Sequence, residues 1–218
     1  MGATNWERNI AINVVESLIH NGLSKLYATD SKVYNLWDWL YDNDFFKNGI
    51  SYADGATKAV IFHEDLDSYV IKFRLPREDA NKDFCAREYE NYVAAEEAGL
   101  GYYFAATEYL CEREGIVFYL QEQVFCDEDV DSEIYDKLQC EYEENHTPYD
   151  ADDLWTEVED MDAYSRTMVL YGNESLSRFV AERRINDLHC GNFGLAGDHY
   201  VMVDYSGFGL QIFMDKPE

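Results

Sequence analysis

The sequence predicts an α+β fold built on a five-stranded antiparallel sheet, and three observations predict it. Strand-like runs joined by short turn signals fill most of Ile50 to Val124. A helical stretch, Asp83 to Ala98, interrupts them once. Apolar residues at helical spacing lie on both sides of this block, near the start and around Asn173 to Glu182.

Thr4 and Glu7 have the spacing of a capping box, and Trp6, Ile10, Val14 and Leu18, with Val15 and Ile19, form a stripe that stops at Asn21-Gly22. A second apolar cluster, Tyr34 to Phe46, contains Trp37, Trp39, Leu40, Phe45 and Phe46. Both are expected to pack on the sheet. Ile50 to Phe62, ISYADGATKAVIF, reads as two strands joined by a turn over Asp54 to Thr57, with Lys58 close by. In Ser68 to Phe73, SYVIKF, Val70 and Lys72 share one strand face and Tyr69, Ile71 and Phe73 the other. After the Asp83 to Ala98 helix come strands at Ala105 to Cys111 and Ile116 to Val124, parted by Glu112 to Gly115. Ala151 to Tyr171 reads as one helix. Asn173 to Glu182 reads as another, with Asn173 its N-cap and Glu174 at its positive end.

The chemistry concentrates in Asn186 to Gly207, NDLHCGNFGLAGDHYVMVDYSG. Asp187 and Asn192 lie five residues apart around Gly191, and Asp204 follows the apolar run Tyr200 to Val203. Phosphoryl transfer needs a carboxylate near the acceptor hydroxyl and oxygen ligands for magnesium. One carboxylate and one amide oxygen suffice when a nucleotide supplies the rest.

On these residues the chain resembles the protein-kinase-like fold, and within it the aminoglycoside and choline phosphotransferase branch. The catalytic loop of that branch, H-G-D-x-H-x-x-N, aligns with Ile185 to Asn192, where Asp187, His189 and Asn192 match. Ile185 replaces the opening histidine, and Asn186 stands where eukaryotic-type kinases carry arginine. Control through a phosphorylated activation loop is therefore not expected. His189 is expected only to support the loop.

The resemblance implies two lobes and a role for each matching residue. Lys72 would hold phosphates and Glu88 would pair with it, with Glu90 the alternative one register away. Asp187 would be the base, and Asn192 and Asp204 would bind Mg2+. The turn at Gly55 would cover the phosphates, although its single glycine is a poor copy of the family's glycine-rich loop. Val60 matches the valine that packs on adenine. The segment Gln121 to Val124, with Glu122 and Val124, would be the hinge whose backbone pairs with adenine. The implied organisation is an N-terminal helical extension over 1–47, a small lobe over 48–125 and a large lobe over 126–218. Only 14 residues follow Asp204, so the helices that complete the large lobe are expected to be reduced.

Composition narrows the partners. A net charge of −27, from 44 acidic and 17 basic residues, repels nucleic acid and attracts cations or basic proteins. The densest acid lies in Cys126 to Asp162, a solvated face by default and the lining of a cationic acceptor's pocket by the family's analogy. No apolar run has membrane length, and the start lacks the pattern of a signal peptide. Cys85, Cys111, Cys126, Cys140 and Cys190 are odd in number and scattered, which points to reduced thiols in a cytoplasm. The five histidines and these cysteines lack zinc-site spacing. The expected activity is an ATP- and Mg2+-dependent phosphotransferase acting on a hydroxyl of a basic protein or small cationic molecule. The alternatives are a pseudokinase-like binding protein and an acidic decoy that uses no nucleotide.

Overall fold

Helix α1 (Asn5–His20) starts at a capping box in which Thr4 Oγ1 accepts from the Glu7 N–H at 3.3 Å and the Glu7 carboxylate accepts from the Thr4 N–H at 2.8 Å. It ends at Asn21, after which Gly22 takes a φ of 95°, a conformation that costs glycine little. Ala11, Val14, Val15 and Leu18 are buried, whereas Trp6 is 63 % exposed. Of the expected stripe, Val14, Val15 and Leu18 are buried and Ile10 and Ile19 pack against the same core, so Trp6 alone departs from it. At 3.6 residues per turn Trp6 falls about 140° around the helix from Ala11, on the opposite face.

The computed structural model describes residues 2–28, 36–54, 57–75, 83–124, 173–185, 192–196 and 199–206. They form an α+β fold containing a five-stranded antiparallel sheet. After α1 come α2 (Leu23–Ala28), α3 (Leu36–Asp42) and a short 3-10 turn (Phe45–Asn48). The strands are β1 (Ile50–Asp54), β2 (Lys58–His63), β3 (Tyr69–Arg74), β4 (Thr107–Arg113) and β5 (Ile116–Glu122), in the order β1-β2-β3-β5-β4. Helix α4 (Phe84–Glu97) lies between β3 and β4 in sequence. Among the described residues no helix is long and apolar enough to cross a membrane. The helix expected over Ala151 to Tyr171 and the acidic Cys126 to Asp162 segment lie outside the described residues.

Two units divide the chain. The first takes in Met1–Tyr89 and Ala106–Gln123. Its apolar core joins α1 to α3 with one face of the sheet: Val14, Leu18 and Leu40 cluster with Ile61, Ile71, Phe73, Phe118 and Leu120. Helices α1 to α3 thus complete the core of the sheet. Arg8 also pairs with Glu108 on β4. Strand β3 is central, flanked by β2 and β5, and its first five residues are all buried. Strands β4 and β5 meet at a two-residue turn, Glu114 (φ 50°) and Gly115 (φ 80°). Two positive φ values in succession match the twist of an antiparallel pair, and β4 accordingly runs on to Arg113, opposite Ile116.

The second unit takes in Glu90–Ala105 and Val124–Glu218. The division falls within α4, because Ala95, Leu100 and Phe104 bury themselves with Leu176, Val180, Ile185, Phe193, Met202 and Tyr205. Helix α5 (Glu174–Glu182) is capped by Asn173, whose side chain accepts from the Leu176 N–H at 2.9 Å. It ends in a Schellman arrangement: Arg184 N–H donates to Ala181 at 3.0 Å and Ile185 N–H to Val180 at 3.0 Å, with Arg184 at φ 55°. A hairpin of β6 (Phe193–Ala196) and β7 (His199–Met202) follows.

Candidate functional site

Strand alternation puts Lys72 on the face of β3 turned away from the helical core, together with Val70. On β2, directly opposite Lys72, stands Val60. Two residues back on the same strand face is Lys58, which opens β2 opposite Arg74. Glu88, one turn into α4, meets both lysines. Its Oε1 lies 2.7 Å from Lys58 Nζ and its Oε2 3.2 Å from Lys72 Nζ. Lys58 is 5 % exposed, Lys72 6 % and Glu88 0 %.

Desolvating a charge of this kind costs several kcal/mol, and a good ion pair offsets much of it. The carboxylate thus holds two ammonium groups, one on each oxygen, as charge-assisted hydrogen bonds. The alternative Glu90 is exposed. Helix phase explains the difference, since two residues along α4 turn the side chain by about 200°. Cys85 lies one turn before Glu88, and its thiol is pushed well above the ordinary value, first by burial and then by the Glu88 charge, against the pull of Lys58 and Lys72.

Asn192 and Asp204 bracket the β6–β7 hairpin. The Val203 N–H donates to the Asn192 carbonyl at 2.9 Å, which carries the ladder one step past the Phe193–Met202 pair. That bond brings Asn192 and the residue before Asp204 to the open end of the hairpin. Asn192 is buried, and Ser206 Oγ donates to Asp204 Oδ1 at 3.1 Å. Tyr205, buried between them, sends its hydroxyl to the Ala105 carbonyl at 2.7 Å. The loop that carries Asp187 lies outside the described residues, but both its flanks are fixed. Ile185 is buried in the apolar core of this unit, and Asn192 is held by the ladder.

Gly55 also lies outside the described residues. Glu122 ends β5, its N–H donating to Ala106 at 2.7 Å and its carboxylate accepting from the Ala106 N–H at 3.2 Å. Gln123 N–H donates to Ser68 at 2.9 Å, and Val124 follows. Gln121 spends its side chain on Thr107, Nε2 to Oγ1 at 3.1 Å.

The donor chemistry at the hairpin end suits magnesium: a carboxylate and an amide, both hard oxygen donors. Among the described residues no cluster of three or more His, Cys, Asp or Glu side chains gathers. Magnesium held largely by nucleotide phosphates does not require one.

Sequence reasoning missed two contacts around the candidate site. It noted Lys58 without giving it a partner, although Lys58 and Lys72 are diagonal neighbours on the adjacent strands β2 and β3. It also passed over Asn91, a polar residue in a polar helix, whose amide donates to the Tyr205 carbonyl at 2.7 Å.

No protein-family model matches the chain, and no curated protein matches it in sequence.

Proposed function

We propose that the chain is an ATP- and Mg2+-dependent phosphotransferase of two-lobed, protein-kinase-like architecture. The observation that carries the reading is the buried pairing of Lys72 with Glu88, a strand lysine held by a helix glutamate. A lysine on a strand is ordinarily a solvated residue, so burying one against a helix carboxylate calls for a purpose. The placement of Asn192 and Asp204 at one end of a hairpin supports it further.

In this reading Lys72 binds phosphate oxygens and Glu88 orients it. Val60 packs on the adenine, and the Glu122 carbonyl and Val124 N–H pair with its edge. Gly55 would belong to the segment that covers the phosphates. Asn192 and Asp204 would hold the cation, which would supply positive charge to offset that of the phosphate oxygens. Asp187 accepts the proton of the acceptor hydroxyl as that oxygen bonds to the γ-phosphorus and the bond to the departing ADP breaks. The acceptor is a basic protein or a small cationic molecule, which the charge of −27 would attract.

Calorimetric titration with ATP, with and without Mg2+, tests the reading. Wild type should bind in a magnesium-dependent way, and Asp204→Ala should lose that dependence. Asp187→Ala should bind as wild type and transfer no phosphate. Absence of binding by a folded wild type would transfer the proposal to an acidic protein that captures a basic partner without nucleotide.

A further inference from the structure

We infer that Lys58 is a second phosphate-binding lysine of this site, set beside Lys72 by the single carboxylate of Glu88. The inference rests on the nucleotide-binding reading above. Its basis is the geometry around Glu88, where Lys58 is the closer of the two lysines, at 2.7 Å against 3.2 Å.

The register explains how the two lysines meet. Lys72 is opposite Val60 and Lys58 opposite Arg74, so Lys58 and Lys72 are diagonal neighbours on one face of an antiparallel pair. Such neighbours stand about 7–8 Å apart at the backbone, within reach of long side chains that converge on one anion. Glu88 fixes both, one oxygen each, and so holds two flexible stems in place before any ligand arrives.

Lys58 also sits where a second cation is most useful. It begins β2 immediately after the β1–β2 turn, which contains a single glycine. Backbone N–H groups approach a phosphate closely only where side chains are absent, so a glycine-poor turn offers few of them. A lysine at the base of the same turn supplies donors and charge together. The long-range field works against the ligand, because a chain of net charge −27 repels a polyphosphate. A second lysine beside the Lys72–Glu88 pair makes the local field more favourable to an anion than that pair alone would.

The experiment titrates wild type, Lys58→Met and Lys58→Arg with MgATP, adenosine and inorganic tripolyphosphate. Lys58→Met should weaken MgATP binding by about tenfold to a hundredfold, the loss of one charge-assisted hydrogen bond, and leave adenosine unchanged. Lys58→Arg should restore most of the loss. A structural role would weaken adenosine and MgATP alike, and that result would overturn the inference. So would unaltered MgATP binding by Lys58→Met, while the nucleotide reading stood. If wild type bound neither MgATP nor adenosine but bound tripolyphosphate through Lys58, the lysine site would stand and the nucleotide reading would fall. If a folded wild type bound none of the three, both would fall. Should Lys58→Met not fold, the wild-type Lys58 ammonium signal in nitrogen-15 NMR, assigned through Lys58→Arg, decides the matter. It shifts on adding MgATP if the inference holds and stays still if it does not.

Discussion

The side-chain amide of Asn91 donates to the backbone carbonyl of Tyr205 at 2.7 Å, and it does so from a buried position in α4. The bond fixes the chain one residue past Asp204, where a free loop would let the carboxylate wander. The Tyr205 hydroxyl, bonded to Ala105, and its ring, edge-on to Phe104 at 5.1 Å, hold the same residue from its other end. These uncharged neighbours therefore help to place Asp204.

Asn91→Ala should accordingly cost about 1–3 kcal/mol, because the buried Tyr205 carbonyl loses this donor. It should also weaken magnesium-dependent ATP binding. Denaturant unfolding and calorimetric titration of the same preparation read both effects. A variant as stable and as tightly binding as wild type would remove Asn91 from any positioning role.

Glu88 and Glu90 make a matched pair for testing helix register. Glu88→Gln leaves two buried ammonium groups facing a neutral amide and should cost about 3–5 kcal/mol, as breaking a buried ion pair does. Glu90 is exposed, so Glu90→Gln should stay within about 0.5 kcal/mol of wild type. Equal urea midpoints for the two variants would contradict the burial of Glu88.

Arg184 sits at φ 55°, where a side chain crowds its own carbonyl. Arg184→Gly should therefore stabilise the chain by about 1 kcal/mol, the usual penalty for a left-handed residue that is not glycine. The change would register as a higher unfolding midpoint. A lower one would mean that the Arg184 side chain contributes more than its backbone strain costs.

Cys85 should be chemically quiet while the chain is folded. Burial first, and the Glu88 charge second, hold its thiol protonated well above the ordinary value of 9.0, and the thiolate is the reactive form. Iodoacetamide labelling followed by peptide mass spectrometry should find Cys85 unmodified in buffer and modified in urea. The sign of the linkage follows. The folded chain keeps a proton that the unfolded chain releases, so Cys85 lowers stability as pH rises past 9.0, and Cys85→Ala should remove that part of the alkaline loss.

The sheet was legible because its signals are local. Gly115 marks a turn, and the alternation in SYVIKF places Lys72 on one face without any knowledge of the fold. The hairpin after Asn192 was only half legible: the apolar run of β7 stood out, but β6 contains Gly194 and Ala196, which favour strands weakly. What the sequence could not carry was tertiary. Whether Glu88 or Glu90 turns inward depends on one helix phase. The Lys58–Glu88 pair joins residues 30 positions apart, and Asn91 reaches Tyr205 across 114. No periodicity records such distances, because a polar side chain in a polar helix looks the same whether or not it meets a carbonyl.

The core shared by α1 and the sheet has a consequence for the order of synthesis. Helix α1 is made before the sheet, yet Arg8 finds Glu108 only 100 residues later, and Leu18 shares its cluster with Phe118 and Leu120. At common translation rates that gap is about 5–20 s. During it the apolar side of α1 has emerged from the ribosome without the strands that cover it. The nascent chain thus offers a hydrophobic helix to chaperones well before its sheet exists.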